Sequence, residues 1–223
     1  MSFEWAVGVM AANRPMNTWR DTVWNLQKCG WRPIVFAEFD VPDEIPYGDI
    51  RTEVIRRPVC ADPQFPKENI GPDGRMGNFQ NFVQTLADLL WMKPTADVIM
   101  IVEDDVIINL HAKEFVEARL WPSVRCGMVS LYCPDFKPYR RQQRGLFQVD
   151  RPNWMCGQAL AFPRQVVITA LQSPLIQSWR GSHRQRVGSP VSPWERKASD
   201  AWIGNVLTEM QMPGWCFCPS LAK

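Results

Sequence analysis

Histidine is almost missing from this chain of 223 residues: His111 and His183 are the only two. His183 stands in a basic loop and His111 closely follows an acidic strand end, so each is read first as a solvated or structural side chain. Long apolar runs are missing too. No stretch approaches the roughly 20 residues that span a bilayer, and no transmembrane segment is expected. The N-terminus has neither the basic start nor the apolar core of a signal peptide, so the expected location is cytoplasmic. The seven cysteines form no framework. Cys216 and Cys218 are separated by one residue, which does not suit a zinc ribbon, and no second pair completes four ligands. Buried free thiols in a reducing compartment are the expectation. A glycine-rich basic loop is also lacking after the first strand, where Ala11-Ala12-Asn13-Arg14-Pro15 stands instead. That argues against a nucleotidyltransferase-type phosphate cradle. No internal repeat and no low-complexity tract occurs.

Acids are scarce in one long block. From Arg119 to Lys197 there are 13 Lys/Arg and three acids (Asp135, Asp150, Glu195), a net of +10. The rest of the chain holds 12 basic and 20 acidic residues, a net of −8, so the overall +2 hides a segregation. Charge separated this way speaks about partners rather than fold, although some of these arginines would pair with acids of the other half.

Apolar segments of two periodicities alternate, which predicts an α/β fold with a mostly parallel central sheet and helices on both faces. Residues 5–11, 33–37 and 98–102 read as buried strands, with a short strand near 52–55 and further strands at 127–132 and 158–162. Helices are expected over 17–29, 78–91 and 112–120, after Pro163, and after a Ser199 cap. Thr18 with Asp21 resembles a capping box, and Gly30 supplies the stop. Phe79, Phe82, Val83, Leu86, Leu89 and Leu90 give 78–91 its apolar face. Ile203, Val206, Leu207 and Met210 do the same for the last helix. Residues 40–77, 134–152 and 173–197 read mostly as loops.

The feature richest in chemistry is Asp97-Val-Ile-Met-Ile-Val-Glu-Asp-Asp-Val-Ile-Ile108. A buried strand ends there in Glu103, Asp104 and Asp105. Three carboxylates at a strand mouth repel one another unless a cation or a hydrogen-bond network receives them. Ligands of open α/β sheets bind at the carboxyl ends of strands. A metal and nucleotide-diphosphate site is the sharp reading, a solvated acidic turn the plain one.

Five features in order resemble a nucleotide-sugar-dependent glycosyltransferase of the GT-A fold: Ala12-Asn13-Arg14-Pro15 after the first strand, Gly77-Asn78-Phe79-Gln80-Asn81 opening a helix, Glu103-Asp104-Asp105, the segment Cys156-Gly157-Gln158 to Pro163, and Ser199-Asp200 opening a late helix. The resemblance covers nearly the whole chain and implies one GT-A-type, Rossmann-like domain over 1–223. Its first half, 1–110, would bind nucleotide-sugar and metal, and 111–223 would shape the acceptor site with its basic loops. Asp105, with Glu103, would coordinate Mn²⁺ or Mg²⁺; Glu103 and Asp104 would orient the ribose or a metal-bound water. Ala12, Asn13 and Arg14 would receive the nucleoside, most simply of a UDP-sugar, with Glu38 as a candidate base or ribose contact. Ordinary solvated loop charge is the alternative for Glu38 and Asp40. Asp200 would be the general base that deprotonates an acceptor hydroxyl, giving inversion, or else a helix-start acid favoured by the dipole.

The family often carries a histidine metal ligand just past a segment like Pro219–Lys223. The sequence in hand stops there, so either that ligand lies beyond it or the acids and diphosphate hold the metal alone, with His183 as a substitute. Glu103 in place of an aspartate also shifts which acid would meet the metal. Trp154, Trp179 and Trp194 lie in the acceptor half, Trp154 beside Gly157, whereas Trp19, Trp24, Trp91 and Trp202 are expected in the core. Arg140, Arg141 and Arg184 head two basic clusters that would suit a polyanionic acceptor such as a hydroxylated base in DNA. A glycan or lipid-linked acceptor and a non-catalytic binding module of the same fold are the competing readings.

Overall fold

The computed structural model describes residues 3–12, 16, 18–42, 52–57, 78–133, 145–149, 157–175 and 199–223, without the side chains of 78, 79 and 199–201. In chain order the elements are β1 (Trp5–Ala11), α1 (Trp19–Lys28), β2 (Pro33–Ala37), β3 (Glu53–Arg56), α2 (Asn78–Met92), β4 (Val98–Glu103), α3 (Ala112–Glu117), β5 (Met128–Ser130), β6 (Gly145–Gln148), β7 (Ala159–Pro163), α4 (Arg164–Leu171), α5 (Ser199–Glu209) and β8 (Gly214–Cys218). All eight strands join one sheet in the order β3-β2-β1-β4-β7-β5-β8-β6.

The left side is parallel throughout: β1 pairs with β2 and β4, and β2 with β3. The right side is mixed. β7 runs antiparallel to both β4 and β5, β8 is parallel to β5, and β6 closes the edge antiparallel to β8. The sheet is therefore mostly parallel and mixed rather than purely parallel. β6 stands inside 134–152, read from sequence as loop, and β8 had no counterpart in that reading.

Burial explains why the central strands form where they do. Val7, Val9, Val98, Met100 and Val102 lie on one face, and Ala6, Met10, Ile99 and Ile101 on the other, all buried. Alternate residues feed two separate cores, one under α1 and α3, the other under α2, α4 and α5. A strand covered on both faces needs no polar side, hence the unbroken apolar runs. Gly8 lets α2 approach β1: a Cβ there would meet Thr85 Cγ2 at 2.9 Å and Leu89 Cδ1 at 3.0 Å.

α1 ends as its sequence predicts. Gly30 has φ +85°, its N–H reaches Gln27 O, and Trp31 N–H reaches Leu26 O, both at 3.0 Å, a Schellman closure. Its start differs. Thr18 is itself helical (φ −72°, ψ −21°) and makes no side-chain cap, because a capping hydroxyl needs an extended backbone to reach the second or third amide. Two tryptophans depart from expectation as well. Trp24 is 51% and Trp91 83% exposed, whereas Trp19 and Trp202 are buried. Trp91 falls about 200° round the helix from buried Leu89, and Trp24 the same angle from Thr22, so both point away from the sheet. Lys28 Nζ lies 5.3 Å from the Trp24 ring centroid.

Cys29, Cys126, Cys133, Cys216 and Cys218 are buried and in no disulfide, as expected for this set. No described helix is long and apolar enough to cross a membrane.

Candidate active site at the carboxyl ends of the strands

Strand order fixes where a site can form. From β1 the chain steps outward to β2 and β3, and β4 then returns to the other side of β1. The switch point, where loops diverge and leave a crevice, lies at the carboxyl ends of β1 and β4. Ala12 follows β1 there, Glu38 follows β2, and Glu103 closes β4. β7 is antiparallel, so its beginning, Gly157-Gln158, meets the same edge: Glu103 N–H donates to Gln158 O at 2.8 Å. α5 finishes at the opposite edge, where Met212 N–H bonds Leu207 O and Gly127 N–H bonds Pro213 O. Its first turn, with Asp200, therefore lies toward the carboxyl-end edge. Residues that are far apart in sequence and were singled out from sequence alone converge on one side of the sheet.

The three consecutive acids behave differently from one another. Asp104 is 2% exposed and accepts the Ala12 N–H on Oδ2 at 2.9 Å. It ties the end of β1 to the end of β4 instead of facing outward. Glu103 is half-buried and Asp105 exposed, so these two acids keep access to solvent at this edge of the sheet. Glu38 is half-buried; its N–H donates to Ala11 O at 2.9 Å, and its carbonyl accepts from Val41 N–H at 3.2 Å and Arg56 Nη1 at 3.3 Å. The β2 end is thus laced to β1 and β3 beside the acid turn.

The chain returns to this edge at its other end. Ile107 and Lys223 exchange backbone hydrogen bonds at 2.8 and 3.0 Å, and Asn109 N–H donates to Leu221 O at 2.9 Å. Ser220 Oγ receives the Cys133 N–H at 3.0 Å. The segment that follows β8 therefore runs alongside the acid turn. His111 is exposed at the start of α3 and joins no cluster of ligating side chains among the described residues.

Among the described residues, no group of three or more His, Cys, Asp or Glu side chains gathers to hold a metal. With Asp104 buried, Glu103 and Asp105 are the turn's remaining carboxylates, hard oxygen donors of the kind that Mg²⁺ and Mn²⁺ accept. The chain matches no protein-family model and no curated protein.

Two side chains that sequence reasoning passed over belong to this region. Arg20, in the first turn of α1, is 5% exposed; its Nε and Nη2 have no hydrogen-bond partner, and its guanidinium carbon lies 5.3 Å from the Trp19 ring centroid. That edge of a guanidinium is the fork that grips two oxygens of a carboxylate or phosphate. Gln158, beside Glu103, keeps Oε1 buried without a partner. A buried acceptor left unpaired is costly and marks a place where a donor group belongs. Arg20 was hidden by its apolar neighbours, and Gln158 by its place at a strand start.

Asn13, Arg14, Arg140, Arg141, Trp154, Trp179, His183, Arg184 and Trp194 lie outside the described residues, as does the Asp200 side chain.

Proposed function

We propose that this protein is a nucleotide-sugar-dependent glycosyltransferase of the GT-A fold, transferring a sugar to an acceptor hydroxyl with inversion. The observation that carries the reading is the acid turn at the switch point, with Asp104 buried as a brace while Glu103 stays half-buried and Asp105 exposed. A turn that buries one acid as a brace between two strands is more than a solvated acidic loop.

Each residue then has a task. Ala12, with Asn13 and Arg14, receives the nucleoside at the end of β1, and Glu38 approaches it from β2. Glu103 and Asp105 hold a divalent cation, Mn²⁺ or Mg²⁺, together with the donor diphosphate. That cation, when bound, neutralises the charge that grows on the leaving diphosphate. Arg20 adds a cationic fork at the start of α1. Gln158 accepts a hydrogen bond from a sugar hydroxyl at its otherwise unpaired Oε1. Asp200 takes the proton of the acceptor hydroxyl as that oxygen attacks the anomeric carbon from the side opposite the diphosphate.

The net +10 of residues 119–197 supports a polyanionic acceptor, a hydroxylated base in DNA being the case that fits both charge and aromatic content. Trp154 and Gly157 would line the acceptor side, with Arg140, Arg141 and Arg184 on phosphates.

The test is nucleotide release from UDP-, GDP- and CMP-sugars with Mn²⁺, with and without hydroxymethylated duplex DNA. Release stimulated by the duplex supports both donor and acceptor assignments. Metal-dependent donor binding without stimulation keeps the enzyme and moves the acceptor to glycans or lipids. Asp105→Asn is expected to weaken metal-dependent donor binding at least tenfold. Absence of donor binding in the wild type removes the proposal.

A further inference from the structure

The acid turn does not hold its own shape. Between Asp104 and Asn109 the chain belongs to neither helix nor strand, apart from an isolated bridge from Ile108 to Ala222. One side is paired with residues 221–223. The other rests on α1, whose inner face is apolar at Trp19, Val23 and Leu26 but polar at Thr22 and Asn25, which are 0% and 5% exposed. Both polar side chains reach across more than eighty residues of sequence to backbone atoms of the turn. Thr22 Oγ1 donates to Asp104 O at 2.9 Å. Asn25 Nδ2 donates to Ile108 O at 2.9 Å, and its Oδ1 accepts Ile108 N–H at 2.7 Å. Cys29 Sγ follows one turn later, 3.4 Å from Asn109 O.

An amide that both donates to and accepts from one residue does what a neighbouring strand residue does in an antiparallel ladder. Asn25 is thus a one-residue substitute for a strand. Packing alone would place valine or leucine at these buried positions, since a buried polar group is tolerated only when fully bonded. Their geometry also bears on the carboxylates. The Asp104 carbonyl belongs to the peptide that joins Asp104 to Asp105. With that oxygen fixed by Thr22 and the Asp104 carboxylate fixed by Ala12 N–H, the peptide cannot rotate, and the direction in which Asp105 leaves the backbone is set.

We propose that Thr22 and Asn25 are positioning residues that hold the acid turn and aim Asp105, and thereby set the affinity of the Glu103–Asp105 site for a divalent cation. The inference rests on the assignment of those two acids to metal. It also makes α1 the common support of the donor site: the helix begins just after the nucleoside loop and braces the acid turn along its inner face.

The experiment titrates Mn²⁺ into the full chain and follows the free ion by electron paramagnetic resonance, with chemical unfolding of each variant alongside. Thr22→Val keeps the shape and removes the hydroxyl; Thr22→Ser keeps the hydroxyl; Val23→Ala loosens the packing of the same helix without removing a hydrogen bond to the turn. Thr22→Val is expected to bind Mn²⁺ about tenfold more weakly, the scale of a lost outer-shell contact, and Thr22→Ser within about twofold of wild type. Val23→Ala should lose stability but keep its Mn²⁺ affinity. Asn25→Leu repeats the comparison at the second position, and Thr22→Ala replaces Thr22→Val if the latter fails to fold. Wild-type affinity in folded Thr22→Val and Asn25→Leu overturns the inference and leaves the metal assignment standing. An equal loss in Val23→Ala overturns it as well, since any loosening of α1 would then suffice. A wild type that binds no Mn²⁺ overturns the metal assignment, and this inference with it.

Discussion

Burial acts on single residues here in ways that a titration can read. The Cys126 thiol is 3% exposed, and desolvation of its thiolate pushes its pKa up to about 12. In the unfolded chain a thiol titrates near 8.5. Above that pH the unfolded state loses a proton that the folded state keeps, so stability present below pH 8.5 is lost as pH rises toward 12. The contribution is about 1.4 kcal/mol per pH unit in that window. Other groups titrate there as well, so the informative quantity is the difference in unfolding free energy between wild type and Cys126→Ala. It should shrink steadily from pH 8.5 to 10.5 in guanidinium unfolding; a constant difference would mean the thiol ionises freely in the folded protein. Arg57 makes the complementary point about paired charge. It is 5% exposed, donates to Asn81 Oδ1 at 3.0 Å and Thr85 Oγ1 at 2.9 Å, pairs with Asp88, and lies 4.7 Å from the Phe36 ring centroid. This one residue pins the end of β3 to α2, and nothing in its local sequence, a stretch read as loop, announced it.

At the scale of elements, legibility followed how many neighbours an element needs in order to exist. β1, β2, β4 and α2 were readable because the apolar runs 5–11, 33–37 and 98–102 and the stripe through Phe82, Leu86 and Leu89 each encode their own burial. β6 was not, because Leu146 and Phe147 are only half-buried between exposed Gly145 and Gln148, and its pairing with β8 alone makes it a strand. β7 was legible as a strand but not in its direction, which depends on the path taken by the chain between Ser130 and Ala159. The site shows the same division. Glu103 and Asp105 were visible as acids at a strand end, whereas the inward turn of Asp104 depends on the Ala12 amide, contributed by a different strand. Thr22 and Asn25 were invisible for the same reason: their partners lie across the fold. A comparable dependence governs Gly127 before β5. A Cβ there would come within 2.8 Å of Met212 Cβ and 3.2 Å of Pro213 O, atoms that cannot rotate away. Gly127→Ala should therefore push the α5–β8 connection off β5 and cost about 1–3 kcal/mol, read as a lowered Tm. An unchanged Tm would mean that this connection yields freely.

The whole molecule joins a basic block, residues 119–197, and an acidic remainder in one sheet. The +10 of residues 119–197 against −8 elsewhere is far more than a nucleotide diphosphate requires. If the excess meets phosphates, binding must carry a salt signature, because each neutralised phosphate releases condensed counterions. Affinity for duplex DNA should then fall linearly on a log–log plot against salt, with a slope of about −0.9 per phosphate contacted. Replacing Arg140, Arg141 and Arg184 together by glutamine should flatten that slope by about 2 to 3 and weaken binding similarly across sequences, as expected of backbone contacts rather than base readout. Fluorescence anisotropy of a labelled duplex over about 50–200 mM KCl measures both. A slope unchanged in the triple variant would place the phosphates elsewhere. A wild type that ignores DNA at low salt would leave the basic block to pair with acids of the rest of the chain, and the proposed acceptor would then be sought among neutral glycans.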